Sequence, residues 1–138
     1  MTQKAIVTWK SNMAFDAEIN GHKLIMDTDS AGGGDNLGPR PKILLLAGLG
    51  GCTGMDVISI LAKMKIVPDN FWMEISAELC EDHPKVFNAI KLVYCFKGAN
   101  LPFENLEKAV NLSKEKYCAV SAMLSKTAKI ESQIKVVE

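Results

Sequence analysis

Three features of this 138-residue chain predict an α+β fold. Its regular segments read as three strands, one long helix, two strands, a helix pair and a last strand. An Asn-Gly pair separates two short apolar runs near the start. A single apolar stretch of about 20 residues, opened by a proline, fills the middle. No repeat, linker or low-complexity tract divides the chain, so one domain over residues 1–138 is expected.

AIVTW (5–9) and MAFDAEI (13–19) are β-branched or alternating, the period-2 pattern of strands. Asn20-Gly21 then leads into HKLIM (22–26), which predicts a tight hairpin with a primed turn. Residues 27–40, DTDSAGGGDNLGPR, mix glycines and Pro39 with short polar residues and read as a flexible surface loop. Pro41 suits the first turn of a helix that runs to about Lys65. After the Pro68-Asp69-Asn70 turn, FWMEISAELCE (71–81) alternates, with Phe71, Met73, Ile75, Ala77 and Leu79 on one face. His83-Pro84 separates it from a second strand, VFNAIKLVYCFKG (86–98). Pro102 opens a helix over about 103–116, a second helical piece runs through Cys118 to Lys126, and IESQIKVV (130–137) closes as a strand.

Composition narrows the function. Sixteen basic residues offset sixteen acidic ones, and Arg40 is the single arginine. Phosphate binding needs clustered Lys and Arg, so nucleic acid is not an expected partner. ILLLAGLGGCTGMDVISILA (43–62) is long enough to span a membrane. Asp56 lies well inside it, however, where a carboxylate costs about 2.5–3.5 kcal/mol. Four glycines lower its hydrophobicity further, so a buried helix is expected and no membrane partner. MTQKAIVTWK has no apolar core of a signal peptide, which points to the cytoplasm. Four cysteines in that reducing setting are expected to be free or catalytic.

Gly48, Gly50, Gly51 and Gly54 imitate a dinucleotide-binding turn, with Glu78 as the acidic residue downstream. Such a turn must follow a strand and open a helix. Here a proline in helix-start position precedes ILLLA, and no strand-helix alternation follows Glu78. The glycines are better explained as small residues that let a helix approach its neighbours, and no cofactor is expected. No metal site is expected either, because no C-x-x-C occurs and His22 and His83 are isolated. A hairpin centred near residue 84 sets Cys80 opposite about residue 88 and Cys95 opposite about residue 73. Cys95 then packs as a small hydrophobe. Cys52, after a Gly-Gly pair, and Cys118, after a charged run, both fall in predicted helices.

GPRPKILLLAGLGGCTGMDVISIL (38–61) strongly resembles the first cysteine motif of the OsmC/Ohr family of osmotically inducible and organic hydroperoxide resistance proteins. LSKEKYCAVSAML (112–124) resembles the family's second cysteine motif, EDHPKVF (81–87) its strand-turn motif and GHKLIMD (21–27) its third strand. The flavour is that of the YhfA-like branch. The resemblance implies an intertwined homodimer with two long central helices flanked by antiparallel sheets. It also implies a cysteine-based peroxidase, with Cys52 as the thiol attacking an organic hydroperoxide, Cys118 as the resolving thiol and an external dithiol as reductant. Leu45, Met55 and Met123, with Leu44, Leu46 and Ile58 near them, are then candidate linings of an apolar pocket.

Two departures matter. Ile43 occupies the position of the family's glutamate, and the N-terminal strands contain no arginine to hold a thiolate. Arg40 and Lys10 are candidate substitutes, with Lys23 as a further cation. Asp56 lies at i+4 from Cys52 and would oppose thiolate formation. A helix N-terminus at Gly50–Gly51, if the helix breaks there, would favour it. An organic hydroperoxide peroxidase and a dimer that binds a small apolar ligand without catalysis therefore both remain.

Overall fold

In the computed structural model, which describes residues 1–138, Asn20 and Gly21 take φ of 52° and 79°. Positive φ at both central residues is what a primed hairpin turn demands, and this pair adopts it at least cost. The turn joins β2 (Ala14–Ile19) to β3 (His22–Met26), and β1 (Ala5–Ser11) pairs with the other edge of β2. All three strands run antiparallel, with Ile19 opposite His22 at the turn.

Chain contacts fall into two compact units, Met1–Leu45 and Leu46–Glu138. In the first, the segment expected as a flexible loop is instead gathered around one carboxylate. Asp27, 2% exposed, accepts the backbone N–H groups of Thr28 (2.7 Å), Asp35 (3.2 Å) and Leu37 (3.1 Å). Asp29 caps a short 3-10 turn, Ser30–Gly32, by accepting Gly32 N–H. The sequence pattern misses this because its glycines and polar residues signal turns without saying what ties them together.

In the second unit, β4 (Asn70–Leu79), β5 (Phe87–Lys97) and β6 (Lys129–Val137) form a sheet in the order β4-β5-β6. The β4–β5 pair is antiparallel, closing through a turn with a cis His83–Pro84 bond. β6 is parallel to β5, so the expectation of wholly antiparallel sheets is corrected. The helical crossover between them brings the chain back in the same direction, as parallel pairing requires. The hairpin is centred between residues 83 and 84, which puts Cys95 opposite Trp72, one residue from the expected partner, and a register shift falls at Glu78/Leu79. Leu79, at the end of β4, is exposed, whereas Phe71, Met73, Ile75 and Ala77 pack against the core.

The long helix α1 runs unbroken from Pro41 to Lys63. By length and composition it could cross a membrane, with mean hydropathy 1.8 over its best window. Its residues Leu49, Val57 and Leu61 nonetheless share a core with Ile90, Leu92 and Phe96 of β5 and Leu106 of α2 (Phe103–Leu112). Each such leucine is worth about 1.5–3 kcal/mol relative to exposure. A Cβ at Gly50 would stand 2.3 Å from Ile75 Cδ1, so a larger residue there displaces the end of that side chain. Gly48 and Gly51 meet nothing within 4 Å. Because α1 has no break at Gly50–Gly51, it offers Cys52 no helix N-terminus there.

After α2 the chain makes a π-turn, Ser113–Tyr117, and then a short helix α3, Ala119–Leu124. Cys118 belongs to neither helix, contrary to expectation. It takes an extended conformation (φ −77°, ψ 102°) at the break and caps α3.

Backbone N–H bonds, that of Thr28 foremost, hold the Asp27 carboxyl below its ordinary 3.8 against the opposing effect of burial. The stability it contributes is therefore full above that value and lost as pH falls through the lower, folded one. Asp27→Ala is expected to destabilise the first unit, because it leaves three backbone N–H groups without their acceptor. Amide exchange checks this, with Thr28, Asp35 and Leu37 losing protection first, both in the variant and in acid.

Candidate functional site

Two thiols from distant parts of the chain meet beside a buried row of hydroxyls. Cys52, half-buried midway along α1, packs against the core, and Cys118 is 3% exposed. Both are free thiols. Cys118 Sγ accepts the Ser121 N–H at 3.3 Å, and its side chain is in hydrogen-bond contact with that of Cys52. Burial is the main force pushing the Cys118 thiol up to about 11, with the neighbouring Cys52 and the charge of Asp56 adding to it. The Ser121 N–H is the one opposing contact. Cys118 therefore keeps its proton at neutral pH.

Below the thiols, Ser113 Oγ donates to Asp56 Oδ2 at 2.8 Å. Thr53 Oγ1 lies 2.8 Å from Ser113 Oγ and 2.7 Å from the Tyr94 hydroxyl. Each hydroxyl has one proton to give. Since Ser113 spends its proton on Asp56, Thr53 must donate to Ser113 and Tyr94 to Thr53. All three are essentially buried, Tyr94 and Ser113 completely, and every buried side-chain polar atom finds a partner. Burial raises the Tyr94 phenol, and the Cys118 and Asp56 charges add to this.

Arg40 pairs with the Asp29 carboxylate, and Lys10 stands 3.9 Å from Asp16, both within the first unit. Leu45, Met55 and Met123 are exposed, Met55 to 76%. Cys95 is buried on the opposite face of the sheet, where burial and Glu74 raise its thiol and Lys135 opposes them. Cys80 sits at the β4–β5 turn with its thiol near the Asp82 and Pro84 carbonyls.

Thr53, Ser113 and Tyr94 escape the sequence reading. The available signal was polarity out of place: Thr53 interrupts the buried row Leu49, Val57, Leu61 on α1 at steps of four residues. Ser113 likewise follows the inward-facing Leu106, Ala109 and Val110.

Residues 32–133 match the family model described as OsmC-like protein. The protein YhfA of Escherichia coli is 35% identical over 135 residues, covering 97% of this chain and 98% of that one. A hypothetical protein from Aquifex aeolicus superposes with a TM-score of 0.84 at 28% identity, over 100% of this chain and 99% of its own. An organic hydroperoxide resistance protein OsmC from Legionella pneumophila shares the fold at TM-score 0.73 and 19% identity, covering 99% and 98%.

An anion beside Cys118 disfavours its thiolate, so removing that charge must lower the thiol's titration. Asp56→Asn, which keeps an oxygen to accept from Ser113, is expected to move the alkylation midpoint of Cys118 downward from about 11. In the unaltered reduced protein at pH 8, iodoacetamide is expected to label the half-buried Cys52 well before Cys118. Peptide mass spectrometry across a pH series reads both, and an unmoved or raised midpoint in the variant contradicts the assignment.

Proposed function

Because the chain belongs to the OsmC-like protein family, we propose that it is a cysteine-dependent peroxidase reducing organic hydroperoxides in the cytoplasm. The reading is carried by one observation, the hydrogen-bond contact between Cys52 and Cys118. Sixty-five intervening residues make that contact a product of the fold. The likeness in fold to an organic hydroperoxide resistance protein supports it.

The two environments divide the labour. Cys52, the more accessible thiol, attacks as thiolate at one oxygen of the hydroperoxide. An S–O bond forms, the O–O bond breaks, and the alkoxide leaves and takes up a proton to become an alcohol. Cys118, buried and protonated, then condenses with the Cys52 sulfenic acid: the S–S bond forms and water leaves, carrying the Cys118 proton. An external dithiol reduces the disulfide by exchange and is itself oxidised.

Exposed Met55, Ile58 and Met123 favour a homodimer, in which a second copy would cover α1 and complete an apolar cleft for an alkyl chain. They also favour a second reading, a dimer that binds a small apolar ligand without turnover. Ile43 in place of an acidic residue, and the engagement of Arg40 with Asp29, bear on the same reading.

Cumene hydroperoxide distinguishes them. On the peroxidase reading, reduced protein loses the Cys52 and Cys118 thiols together, as one intramolecular disulfide, and Cys52→Ser abolishes peroxide consumption. Unchanged thiol counts under excess peroxide leave the ligand-binding reading in its place.

A further inference from the structure

Ser113 holds three structural elements at once. Its N–H closes the end of α2 on the Ala109 and Val110 carbonyls. Its carbonyl accepts the Cys118 N–H at 2.8 Å, the bond that closes the π-turn. Its side chain crosses to α1, donating to Asp56 and accepting from Thr53, both at 2.8 Å. Thr53 is the residue after Cys52, and Asp56 lies one helical turn beyond it. The peptide that carries one thiol is thus hung from a residue pinned to the helix that carries the other.

This use of the hydroxyl is unusual. A serine in a helix ordinarily bonds back to the carbonyl four residues before it or turns to solvent. Here it is fully buried, and both its hydrogen-bonding functions are spent across an interface between elements. The π-turn itself is a rare, strained form of helix, found as single turns at functional sites. Extra winding there shifts the following backbone, and Ser113 fixes where that shift begins. Tyr94 backs the arrangement from β5 by donating to Thr53.

We propose that Ser113 is a positioning residue for the thiol pair: its hydroxyl clamps the π-turn to α1 at Thr53 and Asp56 and so sets the effective concentration of Cys118 at Cys52. This rests on the reading that the two thiols form a disulfide. The clamp touches neither peroxide nor sulfur and acts through Cys118.

The test is the equilibrium constant of the Cys52–Cys118 disulfide. Protein is equilibrated in graded reduced and oxidised dithiothreitol, quenched by alkylation and mapped by mass spectrometry, with thermal melting followed alongside. Ser113→Ala is expected to lower the constant tenfold or more, and Ser113→Thr, which restores a hydroxyl, to return it to within threefold. Thr53→Val breaks the clamp from the α1 side without altering the segment that carries Cys118. It is expected to lower the constant in the same direction, and it decides the matter if Ser113→Ala does not fold. Folded variants that melt lower but keep the unaltered protein's constant overturn the proposal and make Ser113 a packing residue. Failure of the unaltered protein to form this disulfide even with diamide overturns the redox reading first, and the positioning role with it.

Discussion

A buried hydroxyl has one proton to give, and that constraint orders the interior around the thiols. Tyr94, Thr53 and Ser113 come from β5, α1 and the end of α2, and their protons run in one direction toward Asp56. Removing Thr53 or Ser113 leaves a buried hydroxyl proton without its acceptor, at about 1–3 kcal/mol for each orphaned group. Three elements are therefore held in a fixed mutual register. The meeting of Cys52 with Cys118 follows from that register.

No cation is among the groups that shift the Cys118 thiol. Burial, Cys52 and Asp56 all act to keep the proton on Cys118, and a single backbone N–H acts the other way. Arg40 and Lys10 face acidic partners of their own, and the continuous α1 offers no helix terminus at Gly50–Gly51. The thiolate is the attacking form of a cysteine, so Cys118 must give up its proton as it attacks, and water is the product that carries it away.

Much of the fold was legible because local chemistry and tertiary structure agree. Asn20-Gly21 marked its hairpin, Pro41 the start of α1, and the alternation from Phe71 to Ala77 the inner face of β4. Errors came where the local backbone departed from the expected geometry. The β4–β5 hairpin centres between residues 83 and 84, which sets Cys95 opposite Trp72, and the π-turn ended α2 early and took Cys118 out of a helix. Neither leaves a mark on apolar periodicity. Both cysteines were found through motif resemblance. The hydroxyls that hold them were missed because Thr53, Tyr94 and Ser113 are 19 to 60 residues apart and only the fold joins them. Asp27 was hidden for a related reason, since its ligands are backbone N–H groups, which carry no sequence signature.

The most direct measurement is a crystal structure of the protein after oxidation. The account predicts continuous density between the sulfurs of residues 52 and 118 at about 2.05 Å, with α1 unbroken and the Thr53–Ser113–Asp56 bonds intact. Two reduced sulfurs beside an oxidised Cys80, or a bridge joining Cys52 to another chain, would contradict it.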